Sequence, residues 1–206
     1  VTMTECPEGF RWLSGREELG EIYCVSFVRG LSPDEVLRRF GVDENTMEEG
    51  ATAEELNERS VESMRADSAG YIGAAKIGDW TLVIEPGGWK IAVDSDVYGP
   101  VSRGTEVVSV CRHDYASDSF AYIVEGESVV HFDPMCPDDR SGSDPDRFIE
   151  EMRGVGLDPE YDIFDDDSHI DFPIERSFAL AGRITGLPFS LEMLELRFLG
   201  AEPLED

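Results

Sequence analysis

The chain has 206 residues, with 45 Asp and Glu against 17 Lys and Arg, a formal net charge of −28. Such a surface repels nucleic acid and anionic membrane and attracts cations and basic proteins. Direct DNA or RNA binding is therefore not expected, because it rests on neutralising phosphates with Lys and Arg. A hydrophobic share of 41% supplies a core and argues against global disorder. No run approaches the roughly 18 apolar residues of a membrane span.

The first third predicts helix over 16–67. Leu19, Ile22, Cys24, Val25, Phe27 and Val28 supply a broad apolar face ending at Gly30. Ser32, Pro33 and Glu35 then spell a capping box with proline in the first turn, Leu31 and Val36 a hydrophobic staple, and Gly41 a stop. Thr52 and Glu55 repeat the box ahead of a weaker stripe of Leu56, Val61 and Met64. Between these helices Asp43, Glu44, Glu48 and Glu49 mark an exposed acidic loop.

The middle third, 70–133, changes period. Residues 71–77 and 80–85 flank Gly78-Asp79, a hairpin turn of the glycine-first kind. Pro86-Gly87-Gly88 turns the chain into a third strand over 89–93. A loop carrying Gly99, Pro100 and Gly104 leads to a β-branched strand over 105–112. Residues 120–124 and 128–132 surround a second hairpin turn at Gly126-Glu127. The sum is about six short, mostly antiparallel strands.

The last third, 143–199, returns to helix. Asp144 caps a helix with Pro145 in its first turn, with Phe148, Ile149 and Met152 on one face and its end at Gly154. An acidic loop over 158–171 follows. Ile174, Phe178, Ala181 and Ile184 mark an amphipathic helix closed by Gly186, and Ser190 caps a final turn. Helices from both end thirds packed on an antiparallel sheet define an α+β class. With no Pro/Ser/Gly-rich linker, one domain over 1–206 is expected.

The first ten residues carry acids and no basic n-region, so no signal peptide is read there. Cys6, Cys24, Cys111 and Cys136 are widely spaced and form no CxxC pair, which suits reduced thiols and a cytoplasmic location. Lys76 and Lys90 are the only lysines. Two readings of that scarcity stay open, a halophile's hydrated acidic surface and a GC-rich genome that favours Arg codons.

The densest chemical candidate is Asp158, Asp162, Asp165, Asp166, Asp167, His169 and Asp171. It offers oxygens for a hard cation but not the alternating ligands and central Gly of an EF-hand, so a solvated acidic loop is the expectation. Cys111, His113, His131 and Cys136 can be drawn as a Cys₂His₂ zinc set or as a Cys/His nucleophile pair oriented by Asp114 or Asp118. Their spacing matches no zinc signature, and the plainer reading is a buried Cys111 beside a surface His113. Phosphate-loop, dinucleotide and GxSxG patterns are lacking. Trp80, Trp89 and Tyr71 gather near the first hairpin as ligand-pocket candidates, or as the sheet's core face. No catalytic residue, metal ligand or cofactor is assigned.

Three stretches, EIYCVSFVRGLSPDEVLRRFG at 21–41, GDWTLVIEP at 78–86 and FALAGRITG at 178–186, together resemble an uncharacterised protein family of Streptomyces and other actinobacteria. The resemblance extends over most of the chain, from about residue 12 to 199. It implies a cytoplasmic, GC-rich actinobacterial source, and so codon bias for the missing lysines. It brings no activity and no catalytic residues, and its motifs are apolar and capping residues that suit a scaffold.

The leading functional expectation is a non-enzymatic acidic protein-interaction module, immunity- or inhibitor-like or a regulatory adaptor. It would bind a basic protein steered by Asp43, Glu44, Glu48, Glu49, Asp162, Asp165, Asp166 and Asp167. The alternatives are a metal-assisted hydrolase using the acidic loop and histidines, and a small-ligand sensor built on the Trp hairpin. Oligomeric state is not expressed in the sequence.

Overall fold

The computed structural model describes residues 5–14, 19–66, 69–114, 116–161 and 170–204. The described residues form nine strands and seven α-helices, in chain order β1 (Tyr23–Arg29), α1 (Pro33–Phe40), β2 (Glu48–Ala51), α2 (Ala53–Arg65), β3 (Ile72–Ile77), β4 (Trp80–Pro86), α3 (Lys90–Val93), α4 (Ser95–Ser102), β5 (Glu106–Arg112), β6 (Ser119–Val124), β7 (Glu127–Asp133), β8 (Cys136–Ser141), α5 (Ile149–Val155), α6 (Pro173–Thr185), α7 (Leu191–Leu194) and β9 (Phe198–Ala201). The strands form one open sheet in the order β2-β9-β3-β4-β1-β5-β6-β7-β8. Each neighbouring pair is antiparallel.

The α+β class stands, but the sheet is half as large again as the expected six strands, and the additions come from segments expected to be helix or loop. The largest correction is β1. The apolar run through Cys24, Val25, Phe27 and Val28 is the central strand, paired with β4 on one side and β5 on the other. Helices cover both sheet faces, so β1 is buried over six consecutive residues. A strand buried on both faces loses polar alternation, and its continuous apolar run imitates a helix. The first and last thirds are therefore not wholly helical: β1 and β2 come from one and β9 from the other, and β8 follows the expected β-rich span.

Smaller departures have local causes. The expected strand at 89–93 is the helical turn α3, and the expected loop at Gly99-Pro100 lies within α4. The helix expected from Asp144 starts only at Ile149, after a turn in which Arg147 N–H meets the Asp144 carbonyl. It ends past Gly154, at Gly156, whose φ of 83° is left-handed. The second hairpin turns on Glu125-Gly126 rather than Gly126-Glu127. Both residues take positive φ, 52° and 85°, the signature of a type I′ turn. The first hairpin turns at Gly78-Asp79 as expected. Likewise α1 with its left-handed Gly41 stop, α2 with both capping-box bonds, α6 closed by Gly186 and α7 after Ser190 follow the sequence signals.

Two apolar layers sandwich the sheet. One packs Tyr23, Val25 and Phe27 of β1, with Leu82, Ile84, Val108 and Val110, against α2, α5, α6, α7 and the N-terminal segment. The other packs Val28, Val83, Val107 and Ile123 against Val36 and Leu37 of α1, Ile91 of α3 and Val97 and Val101 of α4. Aromatic stacking of Phe178 on Phe189, 4.7 Å apart, centres the first layer. Two paired glycines bring α2 and Tyr71 close to the sheet. A Cβ on Gly73 would meet Leu56 Cδ1 at 2.3 Å, and one on Gly200 would meet Tyr71 Cε1 at 2.5 Å.

Candidate functional site

The functional candidates converge at the end of the sheet where β4 finishes and β3 begins. Register places Glu85, Cys24, Cys111 and Ser119 side by side on four adjacent strands, β4-β1-β5-β6. All four are buried. A second row, Ser26 and Ser109, lies one pleat further along. The two hydroxyls are 2.8 Å apart, and the Cys24 thiol is 3.0 Å from Ser109. This face of the central strands is thus polar at its heart, which sequence pattern alone concealed because Cys and Ser fit a buried strand without breaking its apolar run.

Glu85 is 1% exposed. Burial pushes its carboxyl well above the usual range, and the neighbouring Cys24 adds to the shift. The N–H groups of Ile91 and Lys90, donated to its two oxygens at 3.2 and 3.0 Å, oppose the rise without reversing it. Through these two bonds Glu85 ties α3 to β4. Burial also raises the Cys24 thiol well above its ordinary value. A thiol kept protonated is a poor nucleophile, so this row is built for dry packing.

Above the row a pocket of about 240 Å³ opens between the two helical layers. Phe40, Met64, Tyr71, Glu85, Trp89 and Pro203 are among its walls. Gly87 and Gly88 belong to the lining as well: a Cβ on Gly87 would strike Met64 Cε at 2.3 Å, so the glycine leaves that methyl its place. Tyr71 is held by Arg59, whose Nη1 donates to the phenol oxygen at 2.9 Å. Trp89 lies 5.6 Å from the His113 ring, edge to face, and stays 45% exposed.

Of the three aromatic candidates, the structure joins Tyr71 and Trp89 and separates Trp80. Trp80 sits at the other end of β4, 6% exposed, with the Arg29 guanidinium 5.8 Å from its ring. A strand of this length spans about 20 Å, so Trp80 belongs to the core and not to the pocket.

Two of the exposed apolar side chains lie at this pocket. Among the described residues the exposed large apolar side chains are Val61, Met64, Trp89, Val93 and Leu204. Met64 and Trp89 line the pocket, and Leu204 follows Pro203, which also lines it. Val61 lies one turn before Met64 on α2, and Val93 one turn after pocket-lining Lys90 on α3. Exposed Glu58, Glu62, Asp96 and Glu202 lie on the same elements or beside them. The sequence reading placed Met64 in a helix stripe and Val93 in an expected strand, and gave no sign that either lies near Leu204, because that depends on three distant segments.

The acidic candidates fare differently. Asp43 accepts the Asn45 N–H at 3.0 Å and caps a one-turn 3-10 helix. Glu44 pairs with Arg38 at 3.0 Å and Glu48 with Arg59 at 2.9 Å. Glu48 and Glu49 belong to the edge strand β2 rather than to a loop. Asp162, Asp165, Asp166 and Asp167 lie outside the described residues.

The zinc reading of Cys111, His113, His131 and Cys136 is separated by topology. His131 stands on β7 in register with Ala121 of β6, which faces Ser109 of β5, two strands from the Cys111 side. Among the described residues no three His, Cys, Asp or Glu side chains are grouped to hold a metal. No described helix is long and apolar enough to cross a membrane.

Comparison of the chain with known families gives a match over residues 3–198 to DUF6461, a family of unknown function. The chain belongs to that family. No curated protein and no solved structure matches it. The DUF6461 match spans the sheet from β1 to the start of β9, including every described wall of the pocket except Pro203.

Proposed function

We propose that this DUF6461 protein is a non-enzymatic interaction module that docks a basic protein partner over the Trp89 pocket. The observation that carries this reading is the pair of exposed large apolar side chains, Met64 and Trp89, at one pocket on a chain of net charge −28. Contiguous apolar surface rimmed by charge is the usual form of a docking site. Charge complementarity makes the occupant a cationic amphipathic segment: an apolar side chain enters between Tyr71 and Trp89, and flanking Lys or Arg meets Glu58, Glu62, Asp96 and Glu202. This replaces steering by Asp43, Glu44 and Glu48, whose carboxylates already serve local structure. An adaptor or inhibitor role in an actinobacterial cytoplasm fits the acidic surface and the protonated thiols. A second reading, a small-ligand sensor, draws on the closure of Tyr71 and Trp89 around a common volume.

The test uses two labelled helical peptides with the same Leu/Trp face, one with Lys and Arg on its polar face and one with Glu. Fluorescence anisotropy is expected to show binding of the cationic peptide only. Affinity should fall about tenfold as salt rises from about 50 to about 300 mM, and about tenfold in Trp89→Ala. Equal binding of both peptides, or no effect of Trp89→Ala, sinks the proposal. Quenching of Trp89 by small metabolites without peptide binding moves the sensor reading to the front.

A further inference from the structure

A second pocket lies at the same end of the sheet, across β1 from the first. Pro86 lines the Trp89 pocket, and its register partner Tyr23 lines this one. Its volume is about 300 Å³, at the lower end of ligand sites. Ser14, Tyr23, Arg112, Asp118 and Glu175 supply its polar walls.

Charges of both signs face this small space. Arg112, at the end of β5, is directly opposite Tyr23 in the ladder. Its guanidinium lies 3.5 Å from Asp114, a loose ion pair that leaves most of its donors for other partners. Glu175, in the first turn of α6, is 8% exposed and accepts the Ser14 hydroxyl at 2.7 Å. Asp118 accepts the His113 N–H at 2.8 Å. Burial raises the Asp118 carboxyl above its usual range, and a cation placed beside it opposes that shift.

The second observation is the phenol. Tyr23 is 4% exposed, and Arg112, Glu175 and Asp118 all act on it electrostatically. Its ring and hydroxyl belong to the residue that joins the strand wall of the pocket to Arg112.

This charge pattern selects the ligand class. A simple anion gains Arg112 but meets two carboxylates. A simple cation gains Asp118 and Glu175 but is repelled by Arg112. A molecule carrying both charges on a short scaffold satisfies strand and helix walls together. We propose that this pocket binds a small zwitterion, a free α-amino acid, with its carboxylate on Arg112 and its ammonium toward Glu175 and Asp118. The site is independent of the peptide-docking surface.

The experiment is titration calorimetry of the whole protein with a panel of free α-amino acids, with propylamine and propionate as single-charge controls. At least one amino acid is expected to bind with a Kd below about 1 mM, and both controls at least about tenfold more weakly. Tyr23→Phe and Arg112→Gln should each weaken binding by about tenfold. The half-exposed Arg112 variant carries the test if the buried Tyr23 variant fails to fold. Absence of binding across the panel at about 10 mM, propionate binding as tightly as the amino acid, or unchanged affinity in Arg112→Gln would each overturn the assignment.

Discussion

At the scale of single residues, environment decides what a side chain does. Forty-five carboxylates stand in the chain, yet Glu85 differs from the rest of β4's surroundings because register drops it beside Cys24 in a layer sealed by α3. Its pKa is raised on folding, so the native state holds a proton that the unfolded chain releases near the ordinary value of 4.5. The stability linked to Glu85 is fully present below that value and is lost as pH rises through the folded-state pKa. Glu85→Gln removes that titration. Denaturant midpoints measured from pH 5 to 8 should fall less steeply in the variant than in the parent, and identical slopes would show that Glu85 is already ionised in the fold. The aromatic candidates teach the same point. Trp80 and Trp89 look alike in the sequence, and only the length of β4 sends one to the core and the other to a pocket rim.

Elements were legible where a terminus carried its own chemistry. The capping boxes at Ser32 and Thr52 read identically, but they close differently. Thr52 Oγ1 accepts the Glu55 N–H at 3.2 Å while Glu55 accepts the Thr52 N–H at 2.7 Å. At α1 Ser32 makes no side-chain cap bond; its hydroxyl instead helps hold Asp34 below the usual carboxylate range, and Glu35 turns to Arg39 at 2.8 Å. Thr52→Ala is therefore expected to destabilise the fold by about 1 kcal/mol, and Ser32→Ala by no more than about 0.5 kcal/mol. Urea titration of both variants tests the pair, and equal losses would contradict the distinction. Strands without alternation gave no such signal. For β1 the apolar period depends on how many faces are covered, a property of the neighbours and not of the segment. For β9, four residues containing a glycine became a strand because β2 and β3 offered two open edges.

For the molecule as a whole, charge is the dominant fact. A net charge of −28 on one body repels itself in the folded state more than in the expanded chain. Screening by about 0.3 M NaCl is expected to stabilise the fold by about 1 kcal/mol, a rise in Tm of about 2–4 °C for a chain of this length. Calorimetric scans at low and high NaCl check this, and a Tm that falls with salt would mean that the surface ion pairs such as Arg38–Glu44 and Arg59–Glu48 outweigh the repulsion. The same salt has the opposite effect on partner docking, so stability and binding measured together separate the two roles of the charge.

The sequence by itself determined the charge, the antiparallel hairpin at Gly78-Asp79, the helices α1, α2, α6 and α7, and hence the α+β class. Each of these is written within a few residues, where backbone geometry and local hydrogen bonds act. Tertiary structure alone decided that a central strand replaces the first expected helix and that the sheet has nine strands. It alone brought Met64, Trp89 and Pro203 around one pocket, and placed Tyr23, Arg112 and Glu175 around another. Those outcomes depend on burial of both sheet faces and on register between strands far apart in the chain, and neither quantity has a local signature.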